Sequence, residues 1–374
     1  MLGQDAVAAS HQKGSSPVPF APHPAHRSWK SMLLLFAYSY LAALLLWFAL
    51  HLLYGDRWWW LFLLTALAFY LFLPALLLPP LALATRHAPL WVGFGLVAAM
   101  WLGLFGRLYL PHSAPVLAND ATLTVLTYNA LYHNTEVERM VAAIRANDAD
   151  LVAIQELSEA GLHAIQAELS TRYPYQILAL AENTAGMGLL SRYPLTPLPP
   201  AEFALLPLSG WVGQPQLAAL DYHGRQVLIL NIHAHSTSLG YGGPLRFSPA
   251  EMEQSVRQRE AQMHALAAFA RSRPEPLLML GDFNTGYPSH AHRILSAAMQ
   301  DAWLVAGRGA GHTFPGANIP GSSRPTVLGV PIPQWLIRLD YIFYSAHWHA
   351  THAEIGVWDQ RSDHRPVRAV LVLR

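Results

Sequence analysis

The 374-residue chain has no cysteine, only two lysines, and charged side chains at just 13% of its positions. Without cysteine there is no disulfide framework and no thiolate zinc site, although the absence is compatible with either side of a membrane. Both lysines, Lys13 and Lys30, lie near the start, so residues 120–374 carry none. Those 255 residues hold 18 arginines against 21 acidic side chains, a formal charge of −3 with histidine neutral. DNA affinity comes mostly from basic side chains neutralising phosphates, so this balance disfavours a processive duplex nuclease. There is no internal repeat and no dinucleotide-binding or P-loop glycine pattern.

What the chain has in excess is apolar side chains, 53% of the total, and they are concentrated. Between Ser31 and Leu110 the only charged residues are Asp56, Arg57, Arg86 and Arg107. Three runs between them, about 32–54, 58–80 and 89–107, are each long enough to cross a hydrocarbon layer of roughly 30 Å at about 1.5 Å per residue. Three such runs in succession argue for membrane spans over the buried helices of a soluble core. Pro74, Pro79 and Pro80 predict a kink or an end near Leu78. Trp58, Trp59 and Trp60 stand where indole rings favour the membrane interface. The first run follows a polar leader and exceeds the length of a signal-peptide core, so cleavage is not expected.

This divides the chain into a disordered tail (1–30), a three-helix transmembrane region (31–110), a short linker (111–119) and a globular domain (120–374). Lys13, Arg27 and Lys30 before the first run and Arg86 after the second favour an N-terminus and second loop on the inside. Three spans then place the domain outside, in a multi-pass protein of a bacterial inner or cell membrane. The linker reaches at most about 30 Å, which keeps the domain close to the bilayer.

Within the domain, short apolar runs alternate with segments of helical spacing, predicting an α/β or α+β arrangement. Strands are expected near Leu123–Asn129, Asp150–Gln155, Tyr175–Leu180, Gly186–Ser191, Gln216–Asp221, Gln226–Ile232, Leu277–Leu280, Leu339–Phe343, Trp348–Ile355 and Val367–Leu373. Helices are expected near Glu136–Ala146, Glu159–Leu169 and Glu251–Arg271. Six segments carry polar, chemically useful residues where such a strand ends or begins: Thr127-Tyr128-Asn129, Ile154-Gln155-Glu156, Asn231-Ile232-His233, Gly281-Asp282-Phe283-Asn284, Leu339-Asp340-Tyr341 and Ser362-Asp363-His364-Arg365. Strand ends converge on one rim of a sheet, so these residues can meet although distant in sequence. Asp282 and Asn284, two apart after a buried strand, point the same way and suit an activated water and a phosphate oxygen. Taken singly, Asn129 reads as a turn residue, Glu156 as a helix-start charge, Asp340 as a buried ion-pair partner and His364 as a surface histidine. The ordered set is what favours catalysis. His233 and His235 do not make a zinc pair, because further ligands at suitable spacing are missing.

Together these segments resemble the endonuclease/exonuclease/phosphatase superfamily, the metal-dependent phosphoesterases with a DNase I-like fold, and in the family's order. The resemblance covers nearly all of 120–374. It implies a four-layer sandwich, two mixed β-sheets flanked by helices, here preceded by three transmembrane helices. It implies that Glu156 is the principal ligand of Mg²⁺ or Mn²⁺, with Asn129 beside it and Asp363 in contact with the metal site. Asp282 would orient or deprotonate the attacking water, and Asn284 would bond a phosphate oxygen. His233 and His364 would donate to the developing negative charge, with Asp340 holding His364. His312-Thr313-Phe314-Pro315 is similar to a family segment near the substrate pocket and reads equally as a plain turn. Arg259 and Gln262 match positions that brace the fold.

Two long loops, Thr237–Pro249 and Pro315–Trp335, occupy places that frame the site in this family. The second is apolar and proline-rich. It fits a lipid-contacting loop and equally one packed on the membrane segments. The expected function is a membrane-anchored phosphoesterase whose favoured substrate is a lipid-linked phosphate at the outer face. The architecture is similar to that of superfamily membrane proteins associated with glycopeptide resistance, which points toward polyprenyl phosphates. The alternatives are a tethered extracytoplasmic nuclease acting on DNA or RNA and a non-catalytic membrane scaffold.

Overall fold

The computed structural model describes residues 29–110, 121–206, 209–237, 244, 246, 248–316 and 324–374. The linker, most of the expected N-terminal tail and parts of the two long loops lie outside them. The first segment forms helices α1 (Trp29–Tyr54), α2 (Trp59–Ala66), α3 (Ala68–Leu71), α4 (Leu78–Thr85) and α5 (Pro89–Phe105). Then come β1 (Thr122–Asn129), α6 (Val137–Asn147), β2 (Leu151–Gln155), α7 (Glu159–Leu169), β3 (Tyr175–Ala179), β4 (Met187–Ser191) and β5 (Leu195–Pro197). β6 (Gly213–Tyr222), β7 (Arg225–His233), α8 (Pro249–Ser272), β8 (Leu277–Asp282), α9 (His290–Ser296), β9 (Gln300–Asp301) and α10 (Ala302–Ala306) follow. The chain ends with β10 (Thr326–Val327), β11 (Val330–Pro331), β12 (Asp340–Tyr344), β13 (Trp348–Ile355) and β14 (Val367–Leu373).

Two six-stranded mixed sheets pack face to face, in the orders β13-β14-β1-β2-β4-β3 and β5-β6-β7-β8-β12-β9, and β10-β11 forms a separate hairpin. The side-chain period of two sorts each strand into two rows. On β1, Leu126 and Tyr128 face out, against Met140, Ile144 and Ile165 of α6 and α7. On β7 and β8, Leu230, Ile232 and Met279 face out, against Met263, Leu266 and Phe269 of α8. The opposite rows, Leu123 and Val125, Leu151 and Ala153, Val227 and Ile229, Leu278 and Leu280, fill the space between the sheets. Helix, sheet, sheet and helix make the expected four layers.

Each inward row changes character at one end. Leu123 and Val125 give way to Thr127 and Asn129; Leu151 and Ala153 to Gln155; Val227 and Ile229 to Asn231 and His233; Leu278 and Leu280 to Asp282. On the antiparallel β12 the order reverses, and Asp340 precedes Ile342 and Tyr344. All the polar members are buried. The interior of the sandwich is thus apolar along most of its length and polar at one rim.

Among the described residues three helices are long and apolar enough to cross a membrane: Trp29–Tyr54, Ala68–Thr85 and Pro89–Leu108. The middle one differs from the expected 58–80. The chain breaks at Leu67, between α2 and α3, and runs through a 3-10 turn at Leu73–Leu77 into α4. The prolines do not end the segment, because Pro74, Pro79 and Pro80 fall in the first turns of new helical pieces, where a missing N–H costs little. α2, set apart from the long segment, packs on α8. Asp56, between α1 and α2, accepts from the backbone N–H of His290 at 2.7 Å. Tyr70 of α3 donates to the carbonyl of Leu336 at 3.1 Å, and Tyr287 donates to that of Leu104.

Gly281 shows how backbone geometry shapes the rim. Its φ is +151°, and a Cβ there would lie 1.9 Å from the carbonyl oxygen of Ile232 on the neighbouring strand. Gly281→Ala is expected to destabilise the domain by at least about 1–3 kcal/mol through overpacking alone. Gly286→Ala, whose Cβ would meet nothing within 4 Å, should leave the thermal midpoint unchanged in the same melting experiment.

Candidate active site

Strand pairing brings the distant segments to one level. In β7-β8-β12, His233 is registered with Asp282 and Asp282 with Asp340. In the facing sheet Asn129 is registered with Gln155, and Glu156 follows at once. Beneath them the Thr127 hydroxyl donates to Gln155 Oε1 (3.3 Å), and Gln155 Nε2 donates to Asn231 Oδ1 (2.7 Å). Asn231 Nδ2 in turn reaches the carbonyls of Ile154 and Gly188. This buried amide layer crosses between the sheets and fixes their spacing under the site.

Asn129 stands at the centre of the carboxylates. Its Nδ2 donates to Glu156 Oε1 at 3.1 Å and to Asp282 Oδ2 at 3.2 Å, and its Oδ1 accepts from Leu131 N. Glu156 also accepts from Tyr132 N through Oε2 (3.1 Å). It is held at φ +57°, a conformation rare outside glycine and asparagine. Asp282 Oδ1 accepts from Asn284 N (2.8 Å), and Asn284 Nδ2 donates to the Ala234 carbonyl (2.9 Å). His364 shares a 2.8 Å hydrogen bond between Nδ1 and Asp340 Oδ2, and its Nε2 lies 3.7 Å from Asp282 Oδ2. His233 Nε2 lies 3.7 Å from the same oxygen and 3.9 Å from Glu156 Oε1. Asp363, beside His364, is buried and raises the Glu156 carboxyl by repulsion.

The structure thus gathers all eight sequence-selected residues. His235 departs from the cluster, its Nε2 meeting the Ser255 hydroxyl on α8 at 3.3 Å. Arg259 and Gln262 clamp the loop after His233, through the His235 carbonyl (3.3 Å) and the His235 amide (3.0 Å). Part of the His312–Pro315 segment lies beside the cluster. The Phe314 ring lies 4.9 Å from that of His364, and Thr313 Oγ1 accepts from Leu339 N at 3.0 Å. Gln155, Asn231 and Ser362 are supporting residues that motif reading passed over. Ser362 donates to the Asn129 carbonyl (2.7 Å) and accepts from His364 N (3.0 Å), tying the two ends of the chain's motif set together. A polar side chain at an inward position of an apolar strand is the signal that marks Gln155 and Asn231.

The electrostatics of the cluster are compatible with a bound cation. Burial first, then repulsion from Asp363, pushes the Glu156 carboxyl up to about 7. Burial also pushes Asp282 up to about 7, with His364 pulling it down and Asp340 pushing it up. Burial would lower His364, but Asp340 and Asp282 outweigh it and hold the ring well above the usual histidine range. Burial and the charge of His364 keep His233 down at about 3, hence neutral. Among the described residues Glu156, Asp282 and Asp340 have only histidines within ion-pair distance, and Asp340 Oδ1 is buried without a hydrogen-bond partner. A hard oxygen donor set with surplus negative charge fits a divalent cation of the Mg²⁺ or Mn²⁺ type. Asp282, Asp340 and His364 also lie close enough together to hold a metal ion. A protonated His364, however, has no lone pair to offer, so that trio reads better as a hydrogen-bonded relay.

Residues 126–364 match the sequence model of the Endonuclease/Exonuclease/phosphatase family. The protein belongs to this family. Similar solved structures include a D. rerio TDP2 humanised by 14 mutations, 14% identical, TM-score 0.49, covering 67% of this chain and 98% of that one. Truncated Caenorhabditis elegans TDP2 is 17% identical, TM-score 0.46, covering 67% and 97%. An endonuclease/exonuclease/phosphatase from Bacteroides vulgatus is 18% identical, TM-score 0.45, covering 68% and 100%. No curated protein matches the sequence. An Endonuclease/Exonuclease/phosphatase family fold is a phosphoesterase or nuclease fold, and the carboxylate, amide and histidine cluster stands at its polar rim.

The raised carboxyl pKa values make the stability of the protein depend on pH. Glu156 and Asp282 move from ordinary values of 4.5 and 3.8 to about 7. Their contribution to stability is therefore full below pH ~4 and lost as pH rises through about 7. A cation that replaces the protons reverses the loss. The rise in Tm on adding Mg²⁺ to chelator-treated protein is expected to be small at pH 5 and to grow through pH 7 to 8. A Mg²⁺ shift independent of pH would contradict the assignment.

Proposed function

We propose that the protein is a membrane-anchored, divalent-metal-dependent phosphoesterase that hydrolyses a lipid-linked phosphate at the outer face of the membrane. Glu156, Asn129 and Asp363 would hold the cation, which when bound polarises the phosphoryl group and favours a hydroxide-like water. The chain's own groups do the rest. Asp282, fixed by Asn284 N and Asn129 Nδ2, orients the water and takes its proton. His364, charged and aimed by Asp340, donates through Nε2 to a phosphoryl oxygen, and neutral His233 donates from the other side. Asn284 bonds a third oxygen. These donors stand ready where negative charge grows, which is the main source of rate in such chemistry.

The observation that carries the substrate class is the attachment of the domain to its apolar helices. The loop holding Asp56 bonds α9, Tyr70 bonds Leu336 in the loop leading to Asp340, and Trp59 N bonds Glu253 of α8. A domain fastened on the loop between the first and second spans lies on that loop's side, as three spans require. This supports a position at the membrane surface, with His312 and Leu336 beside the site meeting Tyr70 of the apolar segment. The hairpin there exposes Val327, Leu328 and Val330, apolar groups suited to lipid more than to water.

The second reading, a tethered nuclease, rests on the family's breadth and predicts arginines around the cluster. Among the described residues none pairs with Glu156, Asp282 or Asp340. The deciding experiment offers purified full-length protein in neutral detergent a polyprenyl phosphate, a phospholipid and DNA, each with Mg²⁺. Hydrolysis of a lipid phosphate with little salt dependence supports the proposal. Ready DNA hydrolysis that falls steeply with salt, with the lipids intact, overturns it.

A further inference from the structure

A second polar and apolar surface lies away from the catalytic cluster, at the seam between α1 and α9. An open groove there is lined by Leu52, Leu53 and Tyr54 on one side and by His290, Arg293 and Ile294 on the other. The apolar wall is the last turn of the first membrane segment, with Leu52 56% and Leu53 74% exposed. The Tyr54 ring packs on that of Trp58, 5.0 Å away, and Trp58 stacks on Trp60 at 5.8 Å. Such rings gather at headgroup depth, so the groove opens where lipid phosphates lie.

Its other wall is cationic. Arg293 Nη1 meets His51 Nε2 at 3.1 Å and Nη2 donates to the His51 carbonyl at 3.4 Å. Among the described residues no carboxylate comes within ion-pair distance of Arg293. His290 Nδ1 pairs with Glu260 at 2.9 Å, an interaction that favours its charged form. The acids nearby stand behind the wall. Asp56 is buried under the His290 amide and lies 3.6 Å from His51 Nδ1, and neither it nor Glu260 lines the groove. Cationic side chains above an aliphatic wall complement one kind of occupant, an anionic headgroup with acyl chains attached.

We infer that this groove is a binding site for an anionic phospholipid of the surrounding leaflet, its phosphate on Arg293 and His290 and its chains along Leu52 and Leu53. The lipid bridges the membrane segment to α9, the helix that follows the Asp282–Asn284 loop. The inference rests on the membrane reading above but not on the identity of the substrate.

The test uses the full chain in nanodiscs of phosphatidylcholine, with and without phosphatidylglycerol. Release into detergent and native mass spectrometry then count the lipids retained. The wild type is expected to keep phosphatidylglycerol and to melt at a higher temperature in its presence. Arg293→Gln should weaken retention by about tenfold or more, the effect of losing a charge-assisted contact. Because Arg293 also holds His51, Leu53→Asn serves as a second variant that alters only the wall, and it should weaken retention too. Equal retention of phosphatidylcholine and phosphatidylglycerol, or no change in either variant, would overturn the site. So would an equal rise in Tm with inorganic phosphate alone, which would make it a free-anion site. A chain that fails to float with vesicles defeats the membrane reading itself. One that floats but keeps no anionic lipid defeats only this inference.

Discussion

Asp282→Asn is expected to lower kcat on any phosphoester substrate by about 10²- to 10⁴-fold, the range for losing a positioned general base. The substitution keeps the side chain's shape, and the remaining oxygen can still accept from Asn284 N. It removes the negative charge proposed to take a proton from water, the same charge that, with Asp340, raises the His364 pKa. KM should change little, since Asn284 and His233, the donors proposed to bind the phosphate, stay in place. Unchanged kcat in a folded variant would contradict the role proposed for Asp282, whereas no turnover by the wild type on any phosphoester would favour the scaffold reading.

Arg338→Met carries the largest expected effect on stability. Arg338 and Asp301 side chains are each 1% exposed. They form two parallel bonds, Nη1 to Oδ1 at 3.1 Å and Nη2 to Oδ2 at 2.7 Å, and His292 Nε2 adds a third contact to Asp301 at 3.0 Å. The guanidinium also lies over the Tyr341 ring, 4.4 Å from its centre. Removing it leaves a buried carboxylate without its guanidinium partner, and breaking such a pair typically costs about 3–5 kcal/mol. For a domain of this size the fall in Tm is on the order of 10 °C. The site feels the loss as well, because Tyr341 donates to both the Arg338 and Thr285 carbonyls and so joins the strand carrying Asp340 to the loop after Asn284. Replacing both partners with apolar groups, as in Asp301→Leu with Arg338→Met, should recover much of the loss. A single variant that melts with the wild type would contradict this account of the pair.

Much of this was legible in the sequence. The regular strands carry strong local signals, apolar runs with a polar residue at the end, and their expected bounds differ from the observed ones by a few residues. The eight candidate residues that the structure brings together were legible because each lies at or next to the end of such a run. Less legible were pieces whose structure depends on distant partners. β5, β9 and α10 are two to five residues long and exist because β6, β12 and β13 lie alongside. The broken middle apolar segment reads as one run, since hydropathy does not register that α2 leaves it to pack on α8. Gln155 and Asn231 look like exceptions to apolar strands when read alone, and only the facing sheet shows that they bond each other. Arg338 and Asp301 lie 37 positions apart, and no local pattern pairs them.

The central claim is that the Glu156–Asp282–His364 cluster is a metal-dependent phosphoester-hydrolysing site. The most direct measurement is phosphate ester hydrolysis by chelator-stripped, full-length protein as Mg²⁺ is restored, with Asp282→Asn run alongside. The account predicts activity that is absent without metal, returns with Mg²⁺ or Mn²⁺, and stays at least about a hundredfold lower in the variant. Full activity in the stripped protein, or metal-restored activity equal in the wild type and Asp282→Asn, would contradict it.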